Sequence, residues 1–171
     1  MVTAVPNCQR RVEAKGSSLE IIAVLEDDEA CEDGTLTLRV QWTAGRRETL
    51  EVEGMGYPSD LWVVDLSENG SEDIVVGHED GSGSPPRIRA FESTGTALRK
   101  FRLSELGRED LFDYAGGGNF YTRGGRLFFA YPLQGGGSRT LIYAERGGTW
   151  SEIDPLTFET DRPRTRVPEI P

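Results

Sequence analysis

Apolar and polar residues alternate along much of this chain with a period of two, most plainly where Leu36, Leu38, Val40 and Trp42 interleave with Thr35, Thr37, Arg39 and Gln41. Successive side chains of a strand point to opposite faces, so this alternation predicts a strand with one face buried and one wet. The same reading predicts strands over residues 19–25, 49–53, 61–64, 73–77, 87–91, 119–122, 127–133, 139–144 and 149–153. Gly124-Gly125 and Gly147-Gly148 each join two such runs, and glycine supplies the positive φ that a two-residue hairpin needs. Helical promise is confined to residues 104–112, where Ser104 can act as N-cap but Gly107 weakens the interior, so one or two turns are expected. Twenty-one glycines and regularly spaced turns favour an all-β fold. The expected architecture is an antiparallel β-sandwich, or a pair of packed meanders, of about eight to ten short strands with at most one short helix.

A chain of 171 residues with 36% apolar content can bury one core, and residues 1–160 are expected to form a single domain. Residues 161–171 carry three prolines and alternating charges with little to bury, which predicts an extended or disordered tail. No apolar run approaches the length of a membrane span. Acids outnumber bases by 29 to 19, giving a formal charge of −10 that disfavours nucleic acid and anionic membranes and favours encounter with a basic protein. A protein partner is therefore expected, and exposed sheet edges leave self-association open. Cys8 and Cys31 flank the first predicted strand. A disulfide between them would tie an N-terminal arm to the sheet and suit a periplasmic or extracellular compartment, whereas two free thiols would suit the cytosol. Residues 1–7 have neither the basic nor the apolar region of a signal peptide, so an exported form would have lost its leader.

The segment from Asp65 to Asp73 places oxygen side chains at alternate positions around Gly70, bracketed by two apolar runs. Such a stretch is a tight hairpin. It can be held by short polar side chains bonding their own backbone. Alternatively, Asp65, Ser67, Asn69 and Asp73, with a backbone carbonyl near Ser71, could converge on calcium, which takes six to eight oxygens. Only Asp65 and Asp73 of those ligands are charged, so any calcium binding would be weak, and no cofactor is required by the sequence.

Catalytic chemistry has little to rest on. His78 is the single histidine, it adjoins Glu79 and Asp80 at a strand end, and a solvated surface position is expected for it. No serine lies in a nucleophile-elbow pattern, and zinc ligands are lacking. The protein is expected not to be an enzyme, the one alternative being a carbohydrate-active enzyme with a carboxylate pair assembled in space. The strongest binding element is the loop Asp80, Gly81, Ser82, Gly83, Ser84, Pro85 and Pro86. Its glycine-serine apex is small and rich in hydrogen-bonding groups, and its prolines limit the entropy lost on docking.

Residues 57–150, more than half of the chain, resemble the periplasmic inhibitors of invertebrate-type lysozyme. The resemblance is carried by the run of residues 57–65 (YPSDLWVVD), the acidic hairpin and glycine-serine loop after it, Phe120-Tyr121, residues 127–133 (LFFAYPL) and the Gly136-Gly137-Ser138-Arg139 run ending in Tyr143. It implies a β-sandwich that occludes a lysozyme cleft with the 80–86 loop, Ser82 or Ser84 reaching the catalytic carboxylates. Pro85 and Pro86 stand where the family pattern has a tyrosine. The hairpin with Asp73-Ile74-Val75-Val76-Gly77 is also similar to the FG-GAP repeats of propeller proteins, which implies a calcium-associated interaction or adhesion module. Those repeats come in several copies and the sequence has one, which speaks against a propeller.

Overall fold

A computed structural model describes residues 8–82, 84–144 and 149–153. They form twelve strands and no helix: β1 (Arg11–Lys15), β2 (Leu19–Leu25), β3 (Leu36–Trp42), β4 (Arg47–Val52), β5 (Tyr57–Val64), β6 (Asp73–Glu79), β7 (Arg87–Ser93), β8 (Leu98–Phe101), β9 (Asn119–Arg123), β10 (Arg126–Pro132), β11 (Ser138–Ala144) and β12 (Thr149–Glu152). Every pairing is antiparallel, and the strands make three successive four-stranded sheets, each a meander: β1-β2-β3-β4, β5-β6-β7-β8 and β9-β10-β11-β12. The all-β, antiparallel expectation holds.

The sheets stack as three leaves with a core on each side of the central one. Leu19, Ile21, Ala23 and Leu25 of β2 and Leu36, Leu38, Val40 and Trp42 of β3 pack against Ile74, Val76 and Phe91. Val75 and Ala90, the alternate residues of the same two strands, pack against Phe120, Leu127, Phe129, Tyr131 and Trp150 of the third sheet. A strand covered on both faces has no wet side to encode, which is why β6 reads as a continuous apolar run, not an alternating one.

Two strands escape the sequence pattern. β1 and β8 are sheet edges whose inward residues, Val12 and Ala14 or Leu98 and Phe101, are only partly buried, so their alternation is faint. The helix expected at residues 104–112 does not form. Its stretch is a set of turns, with one i→i−4 bond from the Leu111 amide to the Gly107 carbonyl and one i→i−3 bond from the Phe112 amide to the Glu109 carbonyl, while the Gly107 amide is taken by the Asp110 carboxylate at 2.7 Å. Leu103, Leu106 and Leu111 instead lie against the second core. Gly124 and Gly125 have φ of 59° and 77° and join Arg123 to Arg126, the two-residue turn their sequence demands. The Gly147-Gly148 turn and the 161–171 tail lie outside the described residues.

Polar ties lock the leaves together. Cys8 and Cys31 form a disulfide with 6.1 Å between their Cα atoms, pinning the approach to β1 onto the β2–β3 connection. Trp42 donates from Nε1 to Ser93 Oγ at 3.0 Å across the first core. The Glu72 carboxylate accepts from the amides and hydroxyls of both Ser17 and Ser18, all within 2.8 Å, so the β1–β2 turn is clamped to the central sheet. A Cβ at Gly16 would lie 2.5 Å from that carboxylate, which makes the turn's glycine a condition of the close approach.

Candidate functional site

β6 delivers Asp80 to the start of the glycine-serine loop, and the Asp80 carboxylate organises the residues after it. Its Oδ1 accepts from the Ser82 amide at 2.9 Å and the Ser82 hydroxyl at 2.5 Å, while its Oδ2 accepts from Arg87 Nη2 at 2.8 Å. Ser82 Oγ also lies 2.7 Å from Ser84 Oγ. Having one proton, already given to Asp80, the Ser82 hydroxyl accepts from Ser84. The Ser82 hydroxyl and amide, with Arg87, hold the Asp80 carboxyl below its usual range against a smaller effect of burial. The loop is thus closed at its stem by an ion pair and presents two coupled hydroxyls on exposed residues. Gly81 has φ of 72°, and Pro85 and Pro86 are half-buried at the exit. Gly83 lies outside the described residues.

Beside the loop is a cleft of about 570 Å³ lined by Ser84, Pro85 and Pro86, by Arg87 and Arg89 of β7, and by Lys100, Phe101 and Arg102 where β8 ends. Phe120 and Trp150 close it from the third sheet. Trp150 is fixed by donating from Nε1 to the Ser104 carbonyl at 3.1 Å. Nothing in the linear pattern marks this cleft, because its cations come from two strands and an irregular segment that meet only in the fold.

His78 lines the same cleft but is only 2% exposed, so the surface position expected for it is wrong. It sits at the end of the central strand, where the chain is still covered on both faces. Its Nδ1 is 2.5 Å from the Met55 carbonyl, which can only accept, so Nδ1 carries the proton. Burial, aided by the charges of Arg89 and Arg87 and opposed by the Met55 bond, lowers its pKa to about 4. The ring is neutral at ordinary pH, with Nε2 lacking a partner among the described residues.

In the acidic hairpin the side-chain oxygens of Asp65 and Asn69 and one of Asp73 are committed to the turn itself. Asp65 accepts from the amides of Asn69 at 3.1 Å and Gly70 at 2.9 Å; Asn69 Oδ1 accepts from the Ser71 amide at 2.7 Å. Asp73 Oδ2 accepts from the Ser67 amide at 2.8 Å and hydroxyl at 2.9 Å. Asp73 is fully buried, its Oδ1 has no partner among the described residues, and burial raises its pKa despite the Ser67 bonds. Among the described residues no three His, Cys, Asp or Glu side chains are grouped to hold a metal.

Other motif residues prove to be structural. Arg139 reaches the Glu109 carbonyl at 3.4 Å and Glu152 at 2.8 Å, tying β11 to its neighbours. Phe120 and Phe129 stack at 4.5 Å within the second core. Asp60 and Glu79 are two acids close enough for the charge of one to act on the other. Burial and then the Glu79 charge raise the Asp60 pKa, and Tyr57 donates to Glu79 at 3.1 Å, but neither acid lines the cleft. No helix of the described residues is long and apolar enough to cross a membrane.

Comparison with protein-family models, with curated proteins and with solved structures returned no match.

Proposed function

We propose that the protein is a non-enzymatic, extracytoplasmic binding module of the lysozyme-inhibitor type, using the 80–86 loop as its contact. The observation that carries the reading is the pair of coupled hydroxyls, Ser82 and Ser84, presented on a loop whose stem is fixed by Asp80 and Arg87. A loop whose stem is fixed before binding loses less entropy on docking. Charge supports it at two ranges. The net −10 steers a basic partner at a distance, while the cations flanking the loop suit a groove lined with carboxylates, as glycosidase clefts are. The disulfide agrees with an oxidising compartment. Titrating lysozymes of different types with the protein in a cell-wall lysis assay tests it. Inhibition that Ser82→Trp and Ser84→Trp abolish is expected; no inhibition of any type at micromolar protein removes the reading.

A second reading is favoured by a different observation. The acidic hairpin joins the first two strands of the central leaf, and three four-stranded meanders follow one another along the chain, so the structural unit repeats although the sequence motif does not. Successive four-stranded leaves are the building plan of propeller modules, and the unpartnered Asp73 oxygen is the group a cation would satisfy. Calorimetry and thermal shift with millimolar calcium decide it: neither heat nor stabilisation means that the hairpin is a turn and nothing more.

A further inference from the structure

β7 is an interrupted neighbour. Its residues Ala90 to Ser93 pair with β8 on one side, but β8 ends at Phe101 and the chain then leaves the sheet. Among the described residues, Arg87, Ile88 and Arg89 remain paired only with β6, through His78, Gly77 and Val76. Among the described residues their other side is an open edge, and Pro86 bounds it because proline has no amide to offer. The gap where β8 would have continued is the 570 Å³ cleft.

Two features make this edge unlike an ordinary unprotected one. Arg87, Arg89, Lys100 and Arg102 all line the gap, against Glu105 alone, in a chain whose formal charge is −10. Arg87 is engaged by Asp80, whereas Arg89, Lys100 and Arg102 have no acidic partner among the described residues. Behind them Phe101, Phe120 and Trp150 supply apolar surface. Backbone groups at a sheet edge recognise an extended chain, and pockets beside the edge read its alternate side chains. Cations around the edge repel a basic chain and attract an acidic one.

We propose that this gap captures an extended acidic segment of a partner protein. The segment adds as a strand to β7 over residues 87–89, its acidic side chains meet Arg89, Lys100 and Arg102, and an alternate apolar side chain enters beside Trp150. The gap borders the 80–86 loop, with Ser84 lining it, but the strand pairing proposed at residues 87–89 stands whether or not that loop blocks a lysozyme.

The test uses the full chain and a capped, fluorescently labelled peptide of alternating glutamate and valine. Saturable binding with a change in tryptophan emission is expected, weakened sharply in about 1 M salt, where charges are screened beyond about 3 Å. Lys100→Glu with Arg102→Glu, two exposed positions whose folding is checked by thermal melting, should weaken binding at least about tenfold. Arg46→Glu, at an exposed position just before β4 and outside the gap, should leave it unchanged, which separates the gap's own cations from charge elsewhere on the chain. The same peptide with N-methylated alternate amides should fail, because it cannot pair with the edge. Absence of binding, equal binding of a lysine-valine peptide, or undiminished binding of the N-methylated form would each overturn the proposal. Equal competition by inorganic phosphate would also do so, reducing the gap to a small-anion site. The salt series and the peptide controls decide the matter even if the charge-reversed variant fails to fold.

Discussion

Acidification should destabilise this protein through His78 well above the pH at which carboxylates titrate. The imidazole is buried, neutral and held by Nδ1 to the Met55 carbonyl, with a folded pKa of about 4 against 6.5 for an ordinary histidine. The unfolded chain therefore binds a proton through the window between those values while the folded chain does not, so stability falls as pH drops from about 6.5 towards about 4. Applying the linkage relation to those two pKa values, going from about pH 7 to about pH 5 costs about 2 kcal/mol, and the full cost below about pH 4 is about 3 kcal/mol. For a chain of this size about 2 kcal/mol lowers the melting temperature by about 4–8 °C. Because His78 is the single histidine, its ring resonances report one titration without assignment ambiguity. The measurement is that NMR titration together with urea unfolding at the two pH values, on the wild type and on His78→Asn, whose amide can still donate to Met55. The wild type should lose about 2 kcal/mol that the variant does not lose. A ring titrating near 6.5, or a variant with the same pH dependence as the wild type, would refute the reasoning.

Glu72 acts in a lower window. Burial alone would raise its pKa, but the bonds from Ser18 and Ser17 outweigh it and bring the carboxyl from 4.5 to about 2, so the clamp is intact above about pH 4.5 and is lost towards about pH 2. After discounting for its exposure to solvent, Glu72→Gln should cost about 1 kcal/mol near neutral pH and almost nothing at about pH 2, read from chemical denaturation at both. Replacing Cys8 and Cys31 by serine should cost about 3 kcal/mol in urea unfolding, for a bridge spanning 23 residues, and reductant should reproduce the loss in the wild type. Amide exchange in β1 should rise with it, since the bridge holds the chain just before that edge strand.

Strands with one wet face wrote themselves into the sequence. β3 alternates because its outer side chains meet water, and β9 and β10 are joined by two glycines because the turn needs two positive φ values. Elements fixed by contacts with distant parts of the chain did not. β1 and β8 are strands because their neighbours offer an edge, not because their own pattern is marked. Residues 104–112 have a helical start, but three leucines find more to bury against the second core than a short, glycine-interrupted helix would offer. His78 was misplaced for a related reason: polarity of the neighbouring Glu79 and Asp80 marks the surface, while the strand carrying it runs through the middle of the molecule.

Local pattern was enough for the class of fold, the place of the acidic hairpin and the small, hydroxyl-bearing character of the 80–86 loop. These follow from periodicity and from backbone demands that each residue states where it stands. Long-range packing settled the rest: three leaves with a double-sided central one, Cys8 meeting Cys31, and four cations from separate segments bordering one gap. Those outcomes rest on which faces find each other across long stretches of chain, and no local pattern records the free energy of that choice.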